Sequence, residues 1–209
     1  MDTIITIERE FGSGGRVVGK KLAERLQIPF YDRDLIALAS ERSGLSCQLL
    51  EGVDEQPVSL FLQTCSTMAF TAGGRVSLPT EISLNDKLFF AQAEVIKSLA
   101  AEGPCVIVGR CADYVLREHS KVVSVFIYAD LTYRIERAVN VYGIDRNRAR
   151  NTVLKADKRR SNYYSYYTNR DWNRSQSYDL CVDSTVLGLD GTAALLQCLV
   201  ESVDAKPTV

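Results

Sequence analysis

The sequence predicts a three-layer α/β/α domain built around a five-stranded parallel sheet. Three observations lead there. Short β-branched runs alternate with longer amphipathic ones, the order that yields parallel strands joined by crossover helices. The short runs are apolar at consecutive positions, as strands covered on both faces must be. Polar groups gather just after those runs, at the sheet edge where open parallel sheets hold ligands. With 209 residues, 46% of them hydrophobic and 24% charged, residues 1–209 read as a single domain carrying insertions.

The first strand is expected over 3–8 and the first helix over about 14–26, with Val18, Leu22 and Leu26 on one buried face. Between them lies Arg9-Glu10-Phe11-Gly12-Ser13-Gly14-Gly15-Arg16. The amides of such a glycine turn and the positive end of the helix behind it form an anion cradle. Gly12, Gly14 and Gly15 let the backbone approach a ligand with no Cβ in the way. The order departs from the regular phosphate loop, Gly-x-x-x-x-Gly-Lys-Ser/Thr. Arg9 stands at its first glycine, Gly15 at its lysine, and Arg16 or Val17 at its hydroxyl residue, depending on the frame.

A second strand, 27–31, ends at Asp32-Arg33-Asp34. A long helix is patterned over 84–101 by Leu88, Phe89, Ala91, Val95 and Leu99. The third strand, 105–108, follows the Gly103-Pro104 break and ends at Gly109-Arg110, with Asp113 close behind. The fourth, 122–128, ends at Asp130, and the last, 179–182, ends at Asp183. Two stretches fall outside this alternation. Residues 40–82 carry the apolar run Val58-Ser59-Leu60-Phe61-Leu62, which suits a core helix, a mobile substrate flap or a dimer contact, and so leaves a homodimer open. A helix over 132–142 leads into a basic segment hinged at Gly143.

Net charge is −1, but residues 143–175 hold nine basic side chains against three acids, a local +6 that leaves −7 for the remainder. Such a basic stretch within an acidic chain points to an anionic partner. Tyr163, Tyr164, Tyr166, Tyr167 and Trp172 are interleaved with it. Six cysteines form no Cys-x-x-Cys pair, and Cys105, Cys181 and Cys198 sit in apolar runs where a thiol packs as a small hydrophobe. A reduced, cytoplasmic protein without a zinc framework is expected. His119 is the single histidine, which argues against His relays and His-ligated metals. No run approaches the ~20 apolar residues of a membrane span, so no membrane partner is expected.

Phosphoryl transfer asks a protein for positioning and charge neutralisation, because negative charge spreads over phosphate oxygens in the transition state. The glycine turn supplies amides, and Arg16 beside it can stand in for the missing lysine. Arg134 and Arg137 lie three apart on one helix, and with Arg159 and Arg160 across the hinge they can close over a nucleotide and shut out water. Asp32, Asp113 and Asp130 are the carboxylates able to hold a magnesium ion through water, with no single one preferred.

Five stretches then carry a resemblance: 4–16, 28–34 (Ile-Pro-Phe-Tyr-Asp-Arg-Asp), 106–114 (Val-Ile-Val-Gly-Arg-Cys-Ala-Asp-Tyr), 133–137 (Tyr-Arg-Ile-Glu-Arg) and 178–184 (Tyr-Asp-Leu-Cys-Val-Asp-Ser). The chain resembles the cytidylate kinase-like family, a divergent branch of the P-loop nucleoside monophosphate kinases. The resemblance implies a P-loop kinase fold, a helical insertion holding a nucleoside monophosphate, and an arginine-rich lid. It implies that Gly12, Ser13, Gly14, Gly15, Arg16 and Arg134 face the phosphates of ATP, with Arg16, Arg137 and Arg159 as catalytic residues. Asp32, Arg33, Arg110 and Asp113 fall on the acceptor side, and Asp157 and Arg160 in the lid. The implied reaction moves the γ-phosphate of ATP, with Mg, to CMP or dCMP. Departures stand beside it: Gly-Lys-Gly-Thr reads Gly14-Gly15-Arg16-Val17, Cys111 replaces the aspartate after Arg110, and no cytosine-recognising residues are identifiable in 40–82. A non-catalytic nucleotide-binding sensor or partner-binding module is the alternative. Nucleic-acid binding through the Tyr/Arg lid is a third reading, opposed by the even overall charge and the shortness of the basic segment.

Overall fold

The structure, a computed structural model, describes residues 2–32 and 84–205. The readings made for 40–82 and for Arg33 lie outside these. Strands β1 (Ile4–Arg9), β2 (Phe30–Tyr31), β3 (Val106–Val108), β4 (Val122–Tyr128) and β5 (Leu180–Asp183) form one sheet in the order β2-β3-β1-β4-β5. Every pairing is parallel. The expected five-stranded sheet is therefore present. Only β4 keeps its expected bounds: β1 and β5 are each displaced one residue towards their carboxyl ends, β3 begins one residue later, and β2 keeps two residues of the expected five.

Helices cover both faces. On one, α2 (Leu84–Glu102) sets Leu88, Val95, Ile96 and Leu99 against Ile4 and Ile107. On the other, α1 (Gly15–Leu26) sets Val18 and Leu22 against Ile5, Ile7 and Val108. Successive residues of β1 thus enter opposite cores, which is why Ile4, Ile5 and Ile7 are all buried. Beyond β3 lies a single turn, α3 (Ala112–Val115).

After β4 come α4 (Leu131–Asn140) and α5 (Arg146–Thr168), joined through Gly143 in the left-handed region at φ 67°. Aspartate caps start both helices. The Asp130 carboxylate accepts from the amides of Thr132 and Tyr133, and that of Asp145 from Asn147. Ala138, Ala149 and Val153 lock the two helices together. The tyrosines expected among the basic residues are largely inside. Tyr164 and Trp172 are buried with Phe126 and Tyr178, and Tyr167 stacks on Phe89 with centroids 3.9 Å apart.

The sequence reading assigned no element to 184–204, where Gly188 and Gly191 interrupt the pattern. The structure places α6 (Ser184–Asp204) there, kinked at Gly188, and buries Thr192, Ala193, Leu196 and Val200 in the core shared with α1. With a mean hydropathy of 1.4 this helix is apolar and long enough to span a bilayer by composition, and one face of it packs into the core while Val186, Leu187 and Leu195 are exposed. Cys198, on its other side, is exposed, a correction to its expected burial.

Candidate functional site

The first turn of α1 and the carboxyl ends of β1, β2 and β3 enclose a cavity of about 370 Å³. Its lining includes Gly12, Gly14, Gly15, Arg16, Asp32 and Arg110, together with Arg9, Glu10, Phe11, Tyr142 and Arg160. Among the described residues, four guanidinium groups therefore meet two carboxylates and one glycine turn. Gly12 and Gly14 take φ of 83° and 81°, a region closed to most side chains. Gly12 has a second reason to be glycine: a Cβ there would sit 2.8 Å from the carbonyl oxygen of Arg134. The first amides of α1 lack intrahelical acceptors and add the positive end of a helix dipole to this side of the cavity.

Arg16 and Arg110, expected at opposite ends of a bound nucleotide, share this cavity. Arg16 is held through its Nε by the Asp32 carboxylate, so one expected phosphate ligand and one expected acceptor ligand are paired with each other. Arg110 sits in a run of three left-handed residues, Gly109, Arg110 and Cys111, at φ 78°, 64° and 54°. Non-glycine residues reach that region at an energetic cost and concentrate at binding sites. Ser13 behaves differently from its neighbours. It is fully buried, both its amide and its hydroxyl bond the Glu10 carbonyl, and it shapes the turn from behind.

The structure separates the lid residues. Arg134 faces inward, 6% exposed, donating to the Ala129 carbonyl at 3.1 Å and paired with Asp157 and, at 3.3 Å, with Glu10. It braces the turn and does not line the cavity. Asp157 extends the brace by accepting from the Phe11 amide at 2.7 Å. Arg160 follows one turn later, lines the cavity and donates to the Arg9 carbonyl at 3.1 Å. Residues three apart share a helix face, whereas Arg159 is turned about 100° from Arg160, is exposed and does not line the cavity. Arg137 also lies outside the lining; its guanidinium is 5.8 Å from the Tyr133 ring centroid.

Asp113 is likewise not a wall of the cavity. It lies beneath it, 7% exposed, accepting from the Tyr164 hydroxyl at 2.6 Å. Burial first, and the nearby Glu8 carboxylate second, push its carboxyl up to about 7. Burial also raises Glu10, whose Oε2 accepts from the Ala129 amide at 3.1 Å. Asp130 is the cap of α4, and its bonds to that helix's amides hold its carboxyl below the usual range. Among the described residues no group of three or more His, Cys, Asp or Glu side chains is arranged to hold a metal. Among the described residues, Glu10 and Asp32 are the carboxylates on the cavity wall.

Sequence reasoning passed over Arg9, Glu10, Phe11 and Tyr142. The first three lie inside the quoted loop, and their adjacency to its glycines was the available signal. Tyr142 lies between α4 and the left-handed Gly143, and it packs against Phe11 with centroids 5.3 Å apart.

A model of the cytidylate kinase-like family matches residues 4–186. Among solved structures, an uncharacterized protein from Eubacterium ventriosum is 26% identical, with 98% of this chain and 99% of that one covered and a TM-score of 0.67. A shikimate kinase from Bacteroides thetaiotaomicron covers 96% of this chain and 99% of its own at 14% identity and a TM-score of 0.52. A gluconokinase from Sinorhizobium meliloti covers 97% and 96% at 19% identity and a TM-score of 0.50. At the latter two identities the likeness is one of fold. No curated protein matches the sequence. With its parallel sheet, its glycine turn and a family match that runs through all five strands, the chain belongs to the cytidylate kinase-like family.

Proposed function

We propose that this kinase-fold phosphotransferase moves the γ-phosphate of ATP to a nucleoside monophosphate, with CMP or dCMP as acceptor. The observation that carries the reading is that Arg16 and Arg110, nearly a hundred positions apart, line one cavity with Gly12, Gly14 and Gly15. Amides and guanidinium groups so placed neutralise phosphate oxygens without reorganising during the reaction. Donor phosphates lie against the glycine turn and Arg16, and the acceptor phosphate against Arg110. A phosphate acceptor is already an anionic nucleophile and needs no base. The cavity suits that: it has no histidine, Asp32 is paired with Arg16, and Glu10 is held by the Ala129 amide.

Magnesium, which would offset the charge of the donor phosphates, would be supported by Glu10 or Asp32, the carboxylates among the described residues of the cavity wall. The apolar Val17 on α1 offers no hydroxyl to it. Small nucleotides in the cytoplasm, and neither nucleic acid nor membrane, are the proposed partners. The burial of Tyr164 and Trp172 supports this by withdrawing two of the rings that a single strand would stack on, although Tyr166 stays exposed.

A second reading, a nucleotide sensor without turnover, is favoured by the absent loop lysine and by the Arg16–Asp32 pair. Turnover of ATP·Mg against a panel of nucleoside monophosphates separates the two. Transfer that falls at least tenfold in Arg16→Ala and is unchanged in the remote Arg174→Ala supports the enzyme. Binding of ATP with no transfer to any acceptor supports the sensor.

A further inference from the structure

We propose that Arg9 is the principal phosphate-binding cation of the glycine turn, taking over from the end of β1 the task a regular loop gives to a lysine at the start of α1. The inference rests on the phosphotransferase reading of the cavity. In the loop frame, two positions are exchanged in kind: the first glycine has become Arg9, and the lysine has become Gly15. The structure shows that the exchange is a spatial one. A Cβ on Gly15 would lie 2.6 Å from Cβ of Arg9 and 3.1 Å from its Cγ. The Arg9 stem therefore fills the space through which a side chain at position 15 would leave the helix.

The Arg9 head group ends beside Gly109, at the carboxyl end of β3. A Cβ there would fall 3.1 Å from the Arg9 Cζ and closer still to Nη1. So Arg9 crosses from the glycine turn to the strand end that carries Arg110, and it lines the cavity between them. That is the stretch of wall facing the junction between a donor on the turn and an acceptor on Arg110, where charge develops on the transferring phosphoryl group.

Its bonding supports a ligand role. The side chain is 14% exposed, and its polar neighbour among the described residues is the Glu8 carboxylate at 3.7 Å, beyond hydrogen-bond reach. Glu8 in turn accepts from the Trp172 indole at 3.1 Å. A guanidinium presents five donors in a planar fork, and one so enclosed calls for an acceptor in the cavity it faces. Phosphate oxygens match that fork better than they match a single ammonium.

The test uses the full-length protein with ATP·Mg and ADP as probes, reading affinity by calorimetry, transfer by ADP release, and thermal midpoint. Wild type is compared with Arg9→Gln, Arg9→Gly, Gly15→Lys and the double variant Arg9→Gly/Gly15→Lys. The expected result is a tenfold or greater loss of ATP affinity in Arg9→Gln and Arg9→Gly. Gly15→Lys alone should lose thermal midpoint, because its Cβ meets Arg9. The double variant should regain midpoint and recover at least a third of wild-type affinity, since with Arg9 gone the nearest neighbour of a Cβ at position 15 is Ile127 Cβ at 3.4 Å. A purely structural Arg9 would not give that rescue of affinity. Wild-type binding with Arg9→Gln within twofold of it, or a double variant no tighter than Arg9→Gly, overturns the inference and leaves the phosphotransferase reading standing. Failure of wild type to bind ATP·Mg overturns both.

Discussion

The Asp157 carboxylate of α5 accepts a 2.7 Å hydrogen bond from the Phe11 amide, so the lid helix is fastened directly to the backbone of the glycine turn. Its second oxygen takes the Arg134 guanidinium, which also reaches the carbonyls of Ala129 and Phe11. Turn, α4 and α5 thus share one buried charge network. Removing one member of a buried pair strands the other and typically costs about 3–5 kcal/mol. Arg134→Met is expected to lower unfolding free energy by about 3 kcal/mol in urea titrations. Loss below about 1 kcal/mol would mean the brace carries little.

The same helix separates two adjacent arginines. Arg160 lines the cavity and Arg159 does not. Arg160→Ala is expected to weaken ATP·Mg binding about fivefold or more, in keeping with a charge-assisted contact of roughly 1–3 kcal/mol. Arg159→Ala should change it less than twofold. The reverse ranking, read by calorimetry, would show that α5 rotates on binding.

Two glycines with positive φ should respond unequally to alanine. At Gly12 both the φ of 83° and a Cβ 2.8 Å from a backbone oxygen oppose the change, and backbone has no rotamer to yield. At Gly143 nothing lies within 4 Å, so the left-handed conformation at φ 67° is the remaining penalty. Gly143→Ala is expected to cost about 1 kcal/mol and Gly12→Ala distinctly more. Equal thermal shifts would show that the turn relaxes away from Arg134.

Asp113 makes stability depend on pH. Its carboxyl titrates near 3.8 when unperturbed and is pushed up to about 7 in the fold. Between those values the folded chain holds a proton that the unfolded chain has lost, so stability falls as pH rises from about 4 to about 7 and then levels. Asp113→Asn keeps an oxygen for the Tyr164 hydroxyl and removes the titration. Its advantage over wild type should grow across that window, by at most about 4 kcal/mol. A difference independent of pH would contradict the assignment.

The sheet was legible because β1, β3 and β4 are apolar on both faces, a pattern that needs no tertiary information. What escaped was set by distant contacts. Gly188 and Gly191 masked α6, whose Leu196 and Val200 are buried in the core beyond the kink. The glycine turn, Arg16 and Arg110 could be placed from their position at strand ends. The inward turn of Arg134 could not, because helical spacing gives a face and not its direction, and Asp157 and Glu10 decide the direction. Arg9 was read as a missing glycine, since its packing over Gly15 is a tertiary contact that the sequence does not show.

The most direct measurement is a crystal structure of the protein soaked with a non-hydrolysable ATP analogue and Mg. The account predicts the terminal phosphates against the glycine turn at Gly12, Gly14 and Gly15, within hydrogen-bond distance of the Arg9 and Arg16 guanidinium groups and facing Arg110 across the cavity. Phosphates bound elsewhere on the surface, or a cavity that stays empty at saturating analogue, would contradict it.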